Sequence, residues 1–132
     1  MKTVFEVGLS TSFKAWHVMP GIVGPEGELH QHEYRLEVVA FRQRLDDRQM
    51  VCNLDDLERA LGDTAGIVED KDLEIIRPPD QEAVTVESLA RWSHEQVSRR
   101  LSGSDLEMLS IRVWESPVAF GGYSAPPSNS DR

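Results

Sequence analysis

Residues 30–41 read HQHEYRLEVVAF, and this stretch decides the class of fold. Apolar or aromatic side chains occupy the even positions from Tyr34 onward, while polar side chains occupy the odd positions up to residue 37. A period of two predicts a β-strand with one buried face. His30 and His32 begin the even series, so their side chains point to the same side of the strand.

Three further strands are predicted around this one. The first covers about residues 4–17, where apolar and polar side chains alternate as far as His17. Two more cover about residues 106–115 and 118–123. The former places Glu115 at the end of an otherwise apolar face.

Two helices are predicted between the second and third strands. Asn53 is the predicted N-cap of the first, leucines follow at helical spacing, and Gly62 is its predicted C-terminal stop. Residues 63–83 are predicted to form a long irregular loop, and loops of this length tend to be functional. Thr85 is the predicted N-cap of the second helix. This order of elements predicts an α+β fold with an antiparallel sheet.

Composition limits what the chain is expected to do. Its 132 residues predict one domain over 1–123, followed by a disordered tail over 124–132. A net charge of −9 argues against a nucleic-acid partner, and no apolar run reaches the length of about 18 residues that a membrane span needs. Cys52 is the only cysteine, which excludes an internal disulfide and a Cys-rich zinc site. These features favour a cytoplasmic location.

Three of the four histidines form a candidate metal site. His30 and His32 lie two residues apart on one strand face, and His17 ends a neighbouring strand on its apolar parity. Three imidazoles that leave a fourth position open are typical of catalytic zinc. The sequence therefore predicts one bound Zn²⁺. His94 lies in the amphipathic second helix and is expected to be structural.

Five motifs then occur in order along the chain: FKAWH at 13–17, HQHEY at 30–34, MVCNLDDL at 50–57, VTVESLA at 84–90 and VWES at 113–116. They resemble Phe-x-Ala-Ala-His, His-Gly-His-x-Tyr, Met-Val-x-Asp-Phe-x-x-Leu, Pro-Thr-Ser-Glu-x-Leu-Ala and Val-x-Glu-Thr of one family. That family comprises the 6-pyruvoyl tetrahydropterin synthases and the bacterial 6-carboxytetrahydropterin synthases. The resemblance covers nearly the whole predicted domain.

The resemblance implies the tunnelling fold, a four-stranded antiparallel sheet with two helices on one face. It also implies a homohexamer of two stacked trimers whose sheets close into barrels, with active sites between subunits. His17, His30 and His32 would then hold the zinc. Glu115 would anchor the amidine-like edge of a pterin through paired hydrogen bonds, and Thr85 would take part in substrate binding.

The acid–base residues depart from the family pattern. The family's cysteine before His-x-His is missing, and Glu26 stands four residues before His30. The family's Asp–His pair aligns with Glu69 and Asp70. A branch of the family uses a glutamate three residues before the first histidine, where this chain has Gly27.

These departures rewrite the acid–base set in carboxylates, which suggests a changed reaction rather than a lost one. Glu26 is the first candidate for the general base, with Glu28, Asp70 and Glu69 behind it. Cys52 lies in another element and is expected to be a small buried residue.

Three functions are therefore in competition. The first is a zinc-dependent lyase or synthase that acts on dihydroneopterin triphosphate or a related pterin. The second is an enzyme of specialised metabolism whose zinc activates an aldehyde or ketone for aldol-type or Pictet–Spengler-type bond formation. The third is a non-catalytic module that holds zinc for structure, against which the open three-histidine site argues.

Overall fold

An antiparallel sheet of four strands organises the chain, which a computed structural model describes over residues 3–101 and 105–128. The strands run in sequence order across the sheet, so that each pairs with its neighbour in the chain. They are β1 (Phe5–His17), β2 (His30–Arg42), β3 (Met108–Trp114) and β4 (Phe120–Ala125). The predicted α+β class with an antiparallel sheet is confirmed.

Two helices, α1 (Leu54–Val68) and α2 (Val86–Arg100), contact the sheet and each other. Helix α1 lies against β1, and helix α2 lies against β3 and β4. Fully buried residues such as Leu36, Leu61 and Ile111 come from both layers. The hydrophobic core therefore lies between the sheet and the helices, which cover one face of it.

The predicted end of α1 at Gly62 is wrong. The helix continues through Gly62 to Val68, because Thr64, Ala65 and Val68 extend its buried stripe by two turns. The helix ends only at Glu69, whose N–H still donates to the carbonyl of Ala65. The predicted loop over residues 63–83 is correspondingly shorter and contains a 3-10 helix at Leu73–Ile76.

Both predicted N-caps are confirmed. The side chain of Asn53 accepts a hydrogen bond from the N–H of Asp55. Thr85 and Ser88 cap each other's N–H groups in a reciprocal capping box at the start of α2. Local sequence therefore fixes where both helices begin.

The bounds of the last strands differ from the prediction. Strand β4 begins at Phe120 and extends through Ser124 and Ala125, which pair with Ser110 and Leu109. These two residues had been assigned to the tail, of which residues 129–132 lie outside the described part of the chain. The division into one domain and a tail stays a prediction.

None of the helices in the described residues is both long and apolar enough to cross a membrane. The cytoplasmic location stays a prediction.

Candidate active site

The register of β1 and β2 brings the three histidines together. His17 ends β1 and pairs directly with His30, which begins β2, while His32 pairs with Ala15. The ring centroids are 5.1 Å apart for His17 and His30, 6.2 Å for His17 and His32, and 4.7 Å for His30 and His32. The predicted cluster therefore exists in the fold, at one end of the longest strand pair.

The tautomer of His30 follows from its backbone contact. Its Nδ1–H donates to the carbonyl oxygen of Glu28 at 2.8 Å, because a carbonyl can only accept. In the neutral ring Nε2 then carries the lone pair, and this atom lies 3.0 Å from Nε2 of His32. Such an outer hydrogen bond is typical of metal-binding histidines, since it fixes both the tautomer and the ring orientation.

His17 is the most buried of the three, with 6% of its surface exposed. Burial lowers its pKa, and the neighbouring His30 and His32 lower it further. Lowering the pKa favours the neutral ring at neutral pH. His17 is therefore held in the protonation state that a metal ligand needs.

Glu26 supplies a fourth donor. Its Oε2 lies 3.2 Å from Nε2 of His30 and 3.9 Å from Nε2 of His32, and the three residues can place one ligand atom each within 4.8 Å of one another. The carboxylate remains 55% exposed, whereas the side chains of His30 and His32 are 18% and 22% exposed. The arrangement is a half-buried nitrogen pair facing a more mobile type of ligand at the solvent side.

The donor set fits zinc. Tetrahedral Zn²⁺ with bonds of about 2.0–2.1 Å to nitrogen separates its ligand atoms by about 3.3 Å, close to the 3.0 Å between the two Nε2 atoms. Imidazole nitrogens with a carboxylate oxygen are ligands that zinc accepts. Convergence of several lone pairs on one point also favours a cation there.

The loop before β2 holds Glu26 in place. A 3-10 helix at Pro25–Gly27 contains it, and its carbonyl accepts the N–H of Met19 at 2.9 Å. A Cβ at Gly27 would lie 1.9 Å from the carbonyl oxygen of Ile22, so only glycine fits there. The position that carries a glutamate in one branch of the predicted family is thus closed to any side chain here.

A cavity of about 310 Å³ adjoins the cluster. Its walls come from β1, β2, the loop before β2, the start of α2 and the end of β3. The lining residues are His17, Met19, Ile22, Glu26, Tyr34, Val84, Thr85, Val86, Glu87, Leu89 and Glu115. The fold therefore places candidate zinc ligand, candidate base and candidate anchor around one space.

The predicted anchor, Glu115, is half-buried and follows β3 directly. Its N–H donates to the carbonyl of Ala119 across the turn into β4, which fixes its backbone. Thr85 also lines the cavity, but its hydroxyl is engaged with Ser88 at 2.9 Å. Its predicted role in substrate binding stays a prediction, as does that of Glu115.

Sequence analysis missed two lining residues, Tyr34 and Glu87. Tyr34 shares the parity of His30 and His32, and that signal was available in the sequence. It is 2% exposed and stacks on Phe13 with ring centroids 5.3 Å apart. Burial, Glu115 and Glu26 all raise the pKa of Tyr34, so the phenol stays protonated.

Glu69 and Asp70 lie elsewhere. Oε2 of Glu69 accepts the backbone N–H of Lys14 at 2.8 Å, and the N–H of Asp70 donates to the carbonyl of Lys14 at 2.7 Å. Both residues attach the end of α1 to the open edge of β1. Neither lines the cavity of its own chain.

The remaining candidates have simple structural positions. Cys52 is half-buried against the core, and burial raises the pKa of its thiol. His94 is 3% exposed and bonds to the carbonyl of Ala125 at 3.0 Å, which joins α2 to β4. Glu28 contributes its carbonyl to His30, and its side chain is not among those that line the cavity.

The sequence profile of the 6-pyruvoyl tetrahydropterin synthase family matches residues 6–126. The chain belongs to this family. Members of the 6-pyruvoyl tetrahydropterin synthase family are lyases that act on pterins and form oligomers. A search of curated protein sequences found no match.

Solved structures of the family share the fold. The 6-pyruvoyl tetrahydropterin synthase of Caenorhabditis elegans is 20% identical, with a TM-score of 0.73 over 93% of this chain and 96% of that chain. A Plasmodium vivax 6-pyruvoyltetrahydropterin synthase, in which a catalytic glutamate is mutated to alanine, is 10% identical, with a TM-score of 0.74 over 94% and 99%. An uncharacterized protein from Wolinella succinogenes is 13% identical, with a TM-score of 0.68 over 96% and 99%. The predicted tunnelling fold is confirmed.

Proposed function

We propose that this chain is a zinc-dependent lyase that acts on the side chain of dihydroneopterin triphosphate or a related pterin, with Glu26 as the general base. One observation carries the proposal. His17, Glu26 and Glu115 line a single cavity, and Oε2 of Glu26 lies 3.2 Å from Nε2 of His30. Metal ligands, base and anchor are thus arranged around one bound molecule.

Glu115 fixes the orientation of the substrate. Its carboxylate accepts paired hydrogen bonds from the adjacent N–H groups of the pterin ring, a charge-assisted contact that is stronger than a neutral one. The apolar side chains of Val84, Val86 and Leu89 line the same cavity and provide a surface for the flat ring. The side chain of the pterin then extends toward the histidines.

His17, His30 and His32 would hold the zinc. When bound there, the metal would polarise the oxygens of the substrate side chain as a Lewis acid. The chain's own residues supply the rest of the site. The carbonyl of Glu28 keeps Nε2 of His30 free, and burial keeps His17 neutral.

Glu26 accepts the proton from the side-chain carbon beside the polarised oxygen. Its position next to Nε2 of His30 puts the carboxylate where substrate oxygens and the adjacent C–H would lie. The Plasmodium vivax protein also has a catalytic glutamate, which supports a carboxylate in this role. Asp70 and Glu69 enter the site only if a neighbouring subunit supplies them.

The proposed assembly is the homohexamer that the resemblance implies. Residues 69–72 cover β1 only near Lys14 and Trp16, where Trp16 also forms a parallel bridge to Asp72. The rest of that edge and the outer edge of β4 have no partner strand within the described residues. Pairing of these edges between subunits would protect them.

The test is turnover of the zinc-loaded protein with dihydroneopterin triphosphate and with dihydroneopterin, followed by mass spectrometry. We expect conversion of at least one of them, and a His32→Ala variant should show none. The product mass tells cleavage of the side chain from its rearrangement. No conversion of either compound by the zinc-loaded oligomer would refute the proposal and favour carbonyl chemistry on another substrate.

Glu115→Gln is expected to weaken pterin binding by roughly 10- to 150-fold, because it removes the charge from paired hydrogen bonds worth about 1.5–3 kcal/mol. Quenching of the pterin's fluorescence measures the dissociation constant. Glu58→Gln is the control, because Glu58 is exposed on α1 and does not line the cavity. Equal affinity of the two variants would rule out Glu115 as the anchor.

A further inference from the structure

The charges around the cavity bear on which pterin it accepts. Three carboxylates line it, those of Glu26, Glu87 and Glu115. None of the described residues in its lining is lysine or arginine. The two positive charges that a zinc ion would bring are offset by Glu26 and Glu115, so Glu87 leaves the site with a negative excess.

The adjoining groove continues this acidic surface. It shares Met19, Thr85 and Glu87 with the cavity, which makes it a route outward for a long substrate side chain. Asp80, Glu82 and Glu95 add three carboxylates to its walls, against the single guanidinium of Arg91. That guanidinium lies 5.9 Å from the centre of the Tyr123 ring. A polyphosphate tail would thus meet mostly negative charge along this route.

The N-terminus of α2 is the one natural anion-binding element at the cavity, and the chain's own groups occupy it. Oγ1 of Thr85 accepts the N–H of Ser88, and Glu87 lies in the first turn. A carboxylate there already interacts with the positive end of the helix dipole. The position that would favour a phosphate therefore repels it.

We propose that the substrate carries no phosphate, and that Glu87 is the residue that excludes polyphosphorylated pterins. This inference rests on the proposed function and narrows its substrate class to a dihydropterin with free hydroxyl groups on its side chain. A phosphate-removing hydrolase must then act before this enzyme. The preference belongs to the site as a whole, and Glu87 makes it testable because it is exposed and outside the metal cluster.

The experiment compares kcat/KM for dihydroneopterin and dihydroneopterin triphosphate at 0.15 M salt in the zinc-loaded protein. We expect the free compound to be preferred at least about tenfold, because several phosphate charges lie within one to two screening lengths of the carboxylates. Glu87→Lys should lower this ratio at least about tenfold. Glu58→Lys, which makes the same change in net charge on α1, should leave the ratio within about twofold.

Inorganic tripolyphosphate provides a second readout that does not depend on turnover. It should fail to displace bound dihydroneopterin from the wild type and should compete in the Glu87→Lys variant. Preference of the wild type for the triphosphate, or equal effects of Glu87→Lys and Glu58→Lys, would overturn the inference while leaving the lyase proposal intact. Absence of both binding and conversion for both pterins would overturn the two together.

Discussion

Adjacent residues in the loop before β2 take different parts in the candidate site. Glu26 directs its carboxylate at Nε2 of His30, whereas Glu28 offers its backbone carbonyl to Nδ1 of the same ring. Gly27 between them has no room for a side chain. A carboxylate base is therefore sterically possible at residue 26 and impossible at residue 27.

Glu26→Gln is expected to retain zinc and lose activity. The three histidines remain, so zinc bound per subunit should stay near the wild-type value, while loss of the base should lower kcat by about 10²- to 10⁴-fold. Metal analysis and steady-state kinetics measure the two quantities.

Glu28→Gln is the matched control, since it keeps the backbone carbonyl that bonds His30. We expect its kcat to fall by less than about threefold. A large loss of activity in Glu28→Gln with a normal Glu26→Gln variant would exchange the roles of the two residues.

Single residues also show the limits of sequence reasoning at the site. Parity alone grouped His30 with His32, because a strand alternates strictly, and the same rule extends to Tyr34. Glu87 was read only as part of a helix start. Its place at the cavity depends on how α2 packs against β4, which is a contact between elements distant in sequence.

At the scale of elements, α1 shows why a helix end is harder to predict than a helix start. Asn53 marks the start by a hydrogen bond between near neighbours. Gly62 was read as the stop, yet the helix passes through it because residues beyond it are buried against the rest of the fold. Tertiary burial overrides the local preference of glycine.

Gly62→Ala is expected to stabilise the protein. A Cβ at this position has no heavy atom within 4 Å, and alanine in a helix interior gains about 0.5–1 kcal/mol over glycine. Urea unfolding at one fixed protein concentration measures the difference.

Gly121→Ala provides the opposite case in the same assay. Its Cβ would lie 2.5 Å from Cγ2 of Val86 and 3.3 Å from the backbone nitrogen of Glu87, so β4 approaches the start of α2 too closely for a side chain. We expect a loss of about 1–3 kcal/mol. Destabilisation by Gly62→Ala would mean that α1 does end at Gly62.

At the scale of the whole molecule, the core and the histidine cluster occupy different places. The buried apolar residues fill the space between the sheet and the two helices, while the histidines stand at one end of the β1–β2 pair. Sequence motifs predicted this arrangement because the chain keeps the family's order of elements. They could not predict the groove beside α2, whose charge arises from segments that meet only in the folded chain.

Removal of zinc is therefore expected to inactivate the protein without unfolding it. After chelation at 25 °C the far-UV circular dichroism should be unchanged, because the core does not depend on the metal. The melting temperature should fall by roughly 10–15 °C relative to protein with free zinc at about 100–1,000 times its dissociation constant. A His32→Ala variant should melt near the chelated wild type and respond little to added zinc. Loss of the circular dichroism signal on chelation at 25 °C would instead mean that the metal is structural, since zinc binding then supplies the free energy of folding itself.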